Sequence, residues 1–308
     1  MALRQGLPTK GRDVSDNQTS GRLPTGGKLD LNAVWARGIS LLRENWQLFA
    51  IIAGVFVLLP NAFLQFALPS DAELDEPLNT LIDPAKSEAV REAAAQALGT
   101  LLAPFITFAG LVTVITHVGY ACLVAMMGKR RPTVGEALLQ AMKAILPLVL
   151  AMVLYFASVY LLIVVVQLAL VSIGAAAGAF IGAIVCVLAI VFATARLSLT
   201  LPAIVLEGEM NPVKALMRSW RLTAASPGNV FGFWMLLCVA WFVSIVVLSL
   251  IGLAVMSIPG LGSAATLIEG LMGGAFSMIW GTLYCAMGVA MHRELSGPDP
   301  ETLARQFD

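Results

Sequence analysis

Few residues in this chain are of types that do chemistry, and those few lie far apart. There are two histidines, His117 and His292, and four cysteines, Cys122, Cys186, Cys238 and Cys285. No two cysteines share the short spacing that a zinc or iron–sulfur site needs, so they read as small apolar packing residues and no metal site is expected. Ser–His–Asp, zinc-protease and two-carboxylate constellations cannot be assembled from two histidines and one acid inside the apolar stretches. The run Thr25, Gly26, Gly27, Lys28, Leu29 imitates the end of a phosphate-binding loop, but its first glycine is misplaced and no Ser or Thr follows the lysine. No catalytic residue, cofactor or metal ligand is assigned, and the chain is expected not to be an enzyme.

Three ionisable residues set in apolar surroundings carry more information: Arg196, Glu269 and His117. A charge at the centre of a bilayer costs at least about 2.5 to 3.5 kcal/mol, so each should face protein or water. If the stretch after Arg196 continues a spanning helix, Arg196 is deep and can pair with Glu269. If that stretch lies in the interface, Arg196 snorkels to the boundary. His117, beside Thr113 and Thr116, is expected to hydrogen-bond a neighbouring helix, with a proton relay as the alternative role. Glu269 reads either as a coupling site in a water-filled cavity or as a structural group that reaches outer water or its helix neighbours.

The elements that must position these residues follow from composition. Of 308 residues, 58% are hydrophobic and 12% charged, with 19 Lys and Arg against 19 Asp and Glu. A soluble chain carries about a quarter charged residues. Five stretches hold no charge at all, 45–70, 93–128, 144–195, 222–268 and 270–292, and about 20 apolar residues suffice for a spanning helix. A soluble enzyme domain, a nucleic-acid binder with a basic face and a disulfide scaffold are thereby excluded. Spans are predicted at about 48–68, 101–127, 145–171, 176–201, 230–256 and 264–290. With six spans both termini share a side. Lys and Arg number sixteen in the segments on that side and two, Lys86 and Arg91, on the other. Both termini are therefore expected in the cytoplasm. The outer segment 69–99 carries seven acids but lacks the glycine and terminal glutamate of a calcium loop. It reads as a solvated acidic loop ending in a short helix near 85–98.

Each odd-numbered span is preceded by an amphipathic segment. The first starts at Asp30 as N-cap, with Leu31, Val34, Trp35 and Leu42 on one face. The second opens with Thr133 and Glu136 at capping-box spacing, followed by Val134, Ala137, Leu138, Ala141 and Ile145. The third begins Asn211–Pro212, where proline fills the first helical position without losing a hydrogen bond. Its Val213, Leu216, Met217 and Trp220 recur at helical spacing, with Lys214, Arg218 and Arg221 on the other face. Such helices lie naturally in the interface with their cations at anionic headgroups. Lys214, Arg218, Arg221, Lys129, Arg130 and Arg131 are the candidate headgroup contacts. The spacing of the three units leaves open a degenerate repeat or ordinary elbow helices. Gly174, Gly178 and Gly182 lie four apart, and Gly274, Gly281 and Gly288 seven apart, so spans four and six are expected to pack centrally. Pro60, Pro104 and Pro147 fall near span ends or breaks.

The segment 196–223, RLSLTLPAIVLEGEMNPVKALMRSWRLT, resembles the hallmark of the membrane domain fused to some bacterial glycerophosphodiester phosphodiesterases and of related stand-alone, uncharacterised inner-membrane proteins. The features that match are Arg196 with its Leu/Ser-rich lead, Pro202, Val205–Leu206–Glu207, and Ala215, Arg218, Ser219, Trp220, Leu222 and Thr223. The six-span layout extends the resemblance over residues 30–292. It implies a helical membrane domain without catalytic residues of its own and an association with envelope or phospholipid physiology. The phosphodiesterase barrel, with its histidines and paired acids for metal, has no counterpart here. From the residues alone, Glu207 is placed to cap α-helix 211–223 or to pair with Lys214, Arg218 or Arg221, fixing it against span four.

The expected fold is an all-α integral membrane protein of six transmembrane helices, arranged as three hairpins, each preceded by a cytoplasmic amphipathic interfacial helix. Residues 1–29 read as a disordered tail without a signal peptide, 30–292 as the membrane domain and 293–308 as a second cytoplasmic tail. The expected function is non-enzymatic, organising lipids or partner proteins in the bacterial inner membrane. The alternative is a transporter or channel for a small solute or lipid, with Glu269 and His117 in an intramembrane cavity. Expected partners are anionic membrane phospholipids and either a protein partner or a second copy, with no nucleic acid and no cofactor.

Overall fold

A computed structural model describes residues 29–67, 69, 71–128, 132–171, 175–261 and 263–297. Among them the chain is helical: α1 Leu31–Glu44, α2 Trp46–Ala53, a π-helical turn Gly54–Leu58, α3 Leu59–Leu64, a 3₁₀ turn Gln65–Ala67, α4 Asp71–Ile82, α5 Glu88–Met126, α6 Val134–Val171, α7 Ala175–Leu197, α8 Thr200–Leu206, α9 Pro212–Ala224, α10 Pro227–Met256 and α11 Ser263–Leu295. Six helices are long and apolar enough to cross a membrane: Trp46–Leu64, Glu88–Met126, Val134–Leu170, Gly178–Leu206, Pro227–Met256 and Ala264–Leu295.

Helix starts follow local capping chemistry. Asp30 accepts from the amides of Asn32 and Ala33 at 2.9 and 3.3 Å. Thr133 and Glu136 form the reciprocal capping box, the Thr133 amide donating to Glu136 Oε2 at 2.8 Å and the Glu136 amide to Thr133 Oγ1 at 3.4 Å. Asn211 Oδ1 accepts from the Lys214 amide at 3.1 Å, with Pro212 at the first helical position. Two boundaries differ from the sequence reading. The segment near 85–98 is not a separate short helix but the first turns of α5, and 133–145 runs into its span as the single helix α6. Gly99 and Pro104 in α5 and Pro147 in α6 stand near the polar-to-apolar change, yet each helix continues through it, because the remaining backbone hydrogen bonds carry it on.

The core gathers around α11, half of whose most apolar window is buried, against 6% for the second, third and fifth spans. The sixth span is thus central, as its glycines suggest, whereas the fourth, expected to be central on the same ground, has only 22% of its window buried. Gly119 of α5 receives Phe56, and Gly274 of α11 meets the Leu58 carbonyl, so the π turn is clasped between two glycines on different helices. Pro60 follows that turn and cannot supply the usual amide to the preceding turn. The Leu59 amide instead bonds the Gly54 carbonyl five residues back, and Asn61 Nδ2 donates to the Val57 carbonyl at 2.8 Å and to Thr116 Oγ1 of α5 at 3.1 Å. Gly182 of α7 packs on the Gln167 side chain of α6; Gly174 lies outside the described residues. Cys122, Cys186 and Cys285 are buried and Cys238 is exposed.

One end of the bundle collects α1, α9 and the end of α11. Gly38 of α1 sits on Met287, and Arg37 Nη1 bonds Glu294 Oε2 at 2.9 Å. The Leu29 amide donates to Ser226 Oγ at 3.3 Å and the Leu29 carbonyl accepts from Asn229 Nδ2 at 3.0 Å. Tail residues 1–28 and 298–308 lie outside the described residues.

Candidate functional site

The resemblance segment 196–223 folds into one knot of polar contacts. Pro202 has no amide to offer the Ser198 carbonyl one turn earlier, and the fourth span breaks between Leu197 and Thr200. Ser219 of α9 fills the gap. Its hydroxyl donates to the Arg196 carbonyl at 2.9 Å and accepts from the Leu199 amide at 3.1 Å. Thr223 Oγ1 lies 3.2 Å from the same carbonyl. Ser219 and Thr223 are fully buried, so the break exchanges intrahelical hydrogen bonds for hydroxyls supplied by α9.

The chain leaves α8 at Glu207 and turns at Gly208, whose φ of +73° is the left-handed conformation favoured at a helix C-terminus. The turn returns α9 alongside Glu207. Arg218 donates to that carboxylate from Nε at 2.8 Å and from Nη2 at 3.0 Å, and His292 Nε2, at the far end of α11, donates at 2.9 Å. Of the three basic partners considered for Glu207, Arg218 is the one chosen. His292 had no local signal, lying 85 residues away; its only hint was its position where an apolar stretch ends. Gln140 of α6 donates to the Val205 carbonyl and Arg293 to the Met127 carbonyl, tying the same end to α5 and α6.

Burial pushes the Glu207 carboxyl up, but the hydrogen bonds and charges of Arg218 and His292 outweigh it and hold Glu207 below the usual carboxylate range. The folded protein therefore releases this proton more readily than the unfolded chain. The resulting stability is present above the ordinary carboxylate pKa of about 4.3 and is lost as pH falls through and below it. Thermal unfolding of the detergent-solubilised protein should show its midpoint dropping between about pH 5 and pH 3, less steeply in Glu207→Gln. Equal slopes in the two proteins would remove Glu207 as the cause.

Arg196 packs its guanidinium on Trp220, with Cζ 4.4 Å from the ring centroid. The residue is only 5% exposed, and its Nε and Nη1 are sealed from solvent with no hydrogen-bond partner. The Arg196–Glu269 pair does not form. Glu269 stands 23 residues before His292 on α11, about 35 Å along the helix axis, near the opposite end of the bundle. Arg218 gives Nε and Nη2 to Glu207 while its side chain stays 44% exposed. Lys129, Arg130 and Arg131 lie outside the described residues.

His117 lies elsewhere, on the wall of a cavity of about 230 Å³ shared with Tyr120, Tyr155, Thr194, Thr200 and Tyr284. Neither Arg196 nor Glu269 is on that wall, so Arg196, Glu269 and His117 do not form one site. The expected bond from His117 to a neighbouring helix is absent from its described contacts. Nδ1–H donates to the Thr113 carbonyl of its own helix at 2.7 Å, and the ring meets Tyr120 edge-on. Across the cavity the Thr194 hydroxyl donates to the Ile190 carbonyl at 2.8 Å, so in the 2.6 Å contact with Tyr155 the tyrosine is the donor. Among the described residues no three His, Cys, Asp or Glu side chains converge to hold a metal.

The sequence profile of a family described as Domain of unknown function (DUF7847) matches residues 29–295. No curated protein and no solved structure matches the chain.

Proposed function

The chain belongs to the DUF7847 domain family, and on that footing we propose that it is a non-enzymatic multi-pass protein of the bacterial cytoplasmic membrane that organises anionic phospholipid at its surface. In this reading both termini are cytoplasmic, in line with the sixteen-to-two distribution of Lys and Arg. The three hairpins are each led by an interfacial segment, and the likeness of 196–223 to the membrane domain of glycerophosphodiester phosphodiesterases supports a role in phospholipid physiology. A protein partner or a second copy would be gathered through the same surface.

The observation that carries the proposal is the division of α9 into three faces. Ala215, Ser219, Leu222 and Thr223 are buried against the bundle. Val213, Met217 and Trp220, the stripe that the spacing assigns to the acyl boundary, remain about half exposed. Lys214 and Arg221 follow about 100° per residue further round the helix. A surface helix in water has no use for a second, outward apolar stripe. A helix lying in the membrane interface does, because the stripe enters the acyl boundary while the cations meet headgroups. Each such cation is worth about 1 kcal/mol near an anionic surface. The double variant Lys214→Gln, Arg221→Gln should therefore weaken apparent affinity for phosphatidylglycerol roughly 30-fold. The check is native mass spectrometry of protein extracted gently from its membrane. Retention of phosphatidylglycerol or cardiolipin by the parent and its loss in the double variant is the expected result. A parent that carries no anionic lipid, or a double variant that carries as much, overturns the proposal.

A further inference from the structure

We infer that Arg196 is the seat of a phospholipid phosphodiester, held at the break between α7 and α8 and reached past Trp220. The inference rests on the interfacial placement of α9 and says where on that surface a headgroup binds. It starts from an electrostatic imbalance. An arginine side chain keeps its charge in any protein environment, and a buried charge without a counter-anion is strongly destabilising. Arg196 is 5% exposed, and two of its three nitrogens are sealed and bond nothing. The acid nearest in sequence, Glu207, is taken by Arg218 and His292, and Glu269 stands near the far end of α11. Ser219 and Thr223 address the Arg196 backbone carbonyl, not its side chain. The aromatic face of Trp220 offsets part of the charge but leaves the N–H edge of the guanidinium without an acceptor.

The surroundings indicate what the acceptor is. Trp220 is 45% exposed and belongs to the outward apolar stripe of α9. Phe192, one turn before Arg196 on α7, meets Trp220 edge-on and is itself half exposed. Phe192 and Trp220 thus cover Arg196 with an aromatic, apolar face suited to the glycerol and upper acyl region of a lipid, and the guanidinium fork behind it is opened to a headgroup where the Trp220 side chain moves aside. That fork matches the paired oxygens of a phosphodiester. A soluble anion would have to cross the same apolar approach without chains to occupy it. The acceptor is therefore assigned to a lipid.

The test uses the full chain in detergent after delipidation, followed by thermal unfolding with added dioleoyl phosphatidylglycerol, dioleoylglycerol or inorganic phosphate. Phosphatidylglycerol should raise the midpoint by on the order of 5 °C, and the other two should not. In Arg196→Met the lipid-free protein should unfold at or above the parent midpoint, since the orphan charge is gone, and the phosphatidylglycerol shift should vanish. Arg196→Lys retains the charge without the fork and should bind phosphatidylglycerol roughly tenfold more weakly, which keeps the test available if the methionine variant fails to fold. An equal shift from inorganic phosphate, or from dioleoylglycerol, overturns the inference. So do unchanged phosphatidylglycerol shifts in both Arg196 variants. If those shifts persist while Lys214→Gln, Arg221→Gln abolishes lipid retention, the inference fails and the interfacial role of α9 stands. If the parent binds no phosphatidylglycerol at all, both fall together.

Discussion

Gly274→Ala is expected to destabilise the protein by about 1 to 3 kcal/mol, whereas Gly273→Ala, one residue earlier on the same helix, should be neutral or slightly stabilising. In a helix interior alanine is ordinarily better than glycine by about 1 kcal/mol, so the two substitutions begin with the same favourable bias. They differ in what the new methyl meets. At Gly274 a Cβ would stand 2.5 Å from the Leu58 carbonyl oxygen and 3.2 Å from Ala62, while at Gly273 nothing lies within 4 Å. The Leu58 oxygen is backbone within the π turn and cannot rotate aside as a side chain would. Relief therefore requires α11 and the first span to separate. Unfolding midpoints of the two variants in one detergent decide the matter, and a Gly274→Ala protein that melts with or above Gly273→Ala defeats the prediction. Gly288, where a Cβ would sit 3.6 Å from Pro202, has ordinary contact distance and should tolerate alanine despite belonging to the same seven-residue series.

Ser219→Ala is the second large effect expected. The serine is fully buried, and its one hydroxyl both donates to the Arg196 carbonyl and accepts from the Leu199 amide. Thr223 remains beside the carbonyl after the substitution, but the Leu199 amide has no replacement, and Leu199 itself is fully buried. An unsatisfied buried donor costs about 1 to 3 kcal/mol. The loss should be local as well as global, because the hydroxyl is what joins α9 to the broken span. Hydrogen–deuterium exchange across 196–200 should therefore accelerate in Ser219→Ala and much less in Thr223→Val, whose hydroxyl shares its proton among several nearby carbonyls. Equal protection of 196–200 in Ser219→Ala and the parent would mean that the serine does not hold the break.

The six apolar helices, the caps at Asp30, Thr133 and Asn211, and the central packing of α11, though not of α7 to which the same argument was applied, were legible in the sequence. Each depends on residues within a turn or two of one another: an apolar run long enough to span, a side chain reaching its own helix's first amides, or small residues recurring on one face. The pairing of Glu207 with a cation of α9 was legible for the same reason, since both lie in one short segment. The merging of 85–98 into α5 and of 133–145 into α6 was not, because polarity marks where a helix changes surroundings and not where its hydrogen bonding stops.

Tertiary structure alone decided the rest. It gave the bundle a second face of α9, with Ala215, Ser219, Leu222 and Thr223, and it brought His292 to Glu207 across 85 residues. It left Arg196 without an acid, put Glu269 near the other end of the bundle and gave His117 a cavity that neither of them lines. A period in the sequence identifies an apolar stripe but not what the stripe faces, and a charge count identifies a charge but not its partner. Both are settled only when helices distant in sequence pack and remove particular groups from solvent.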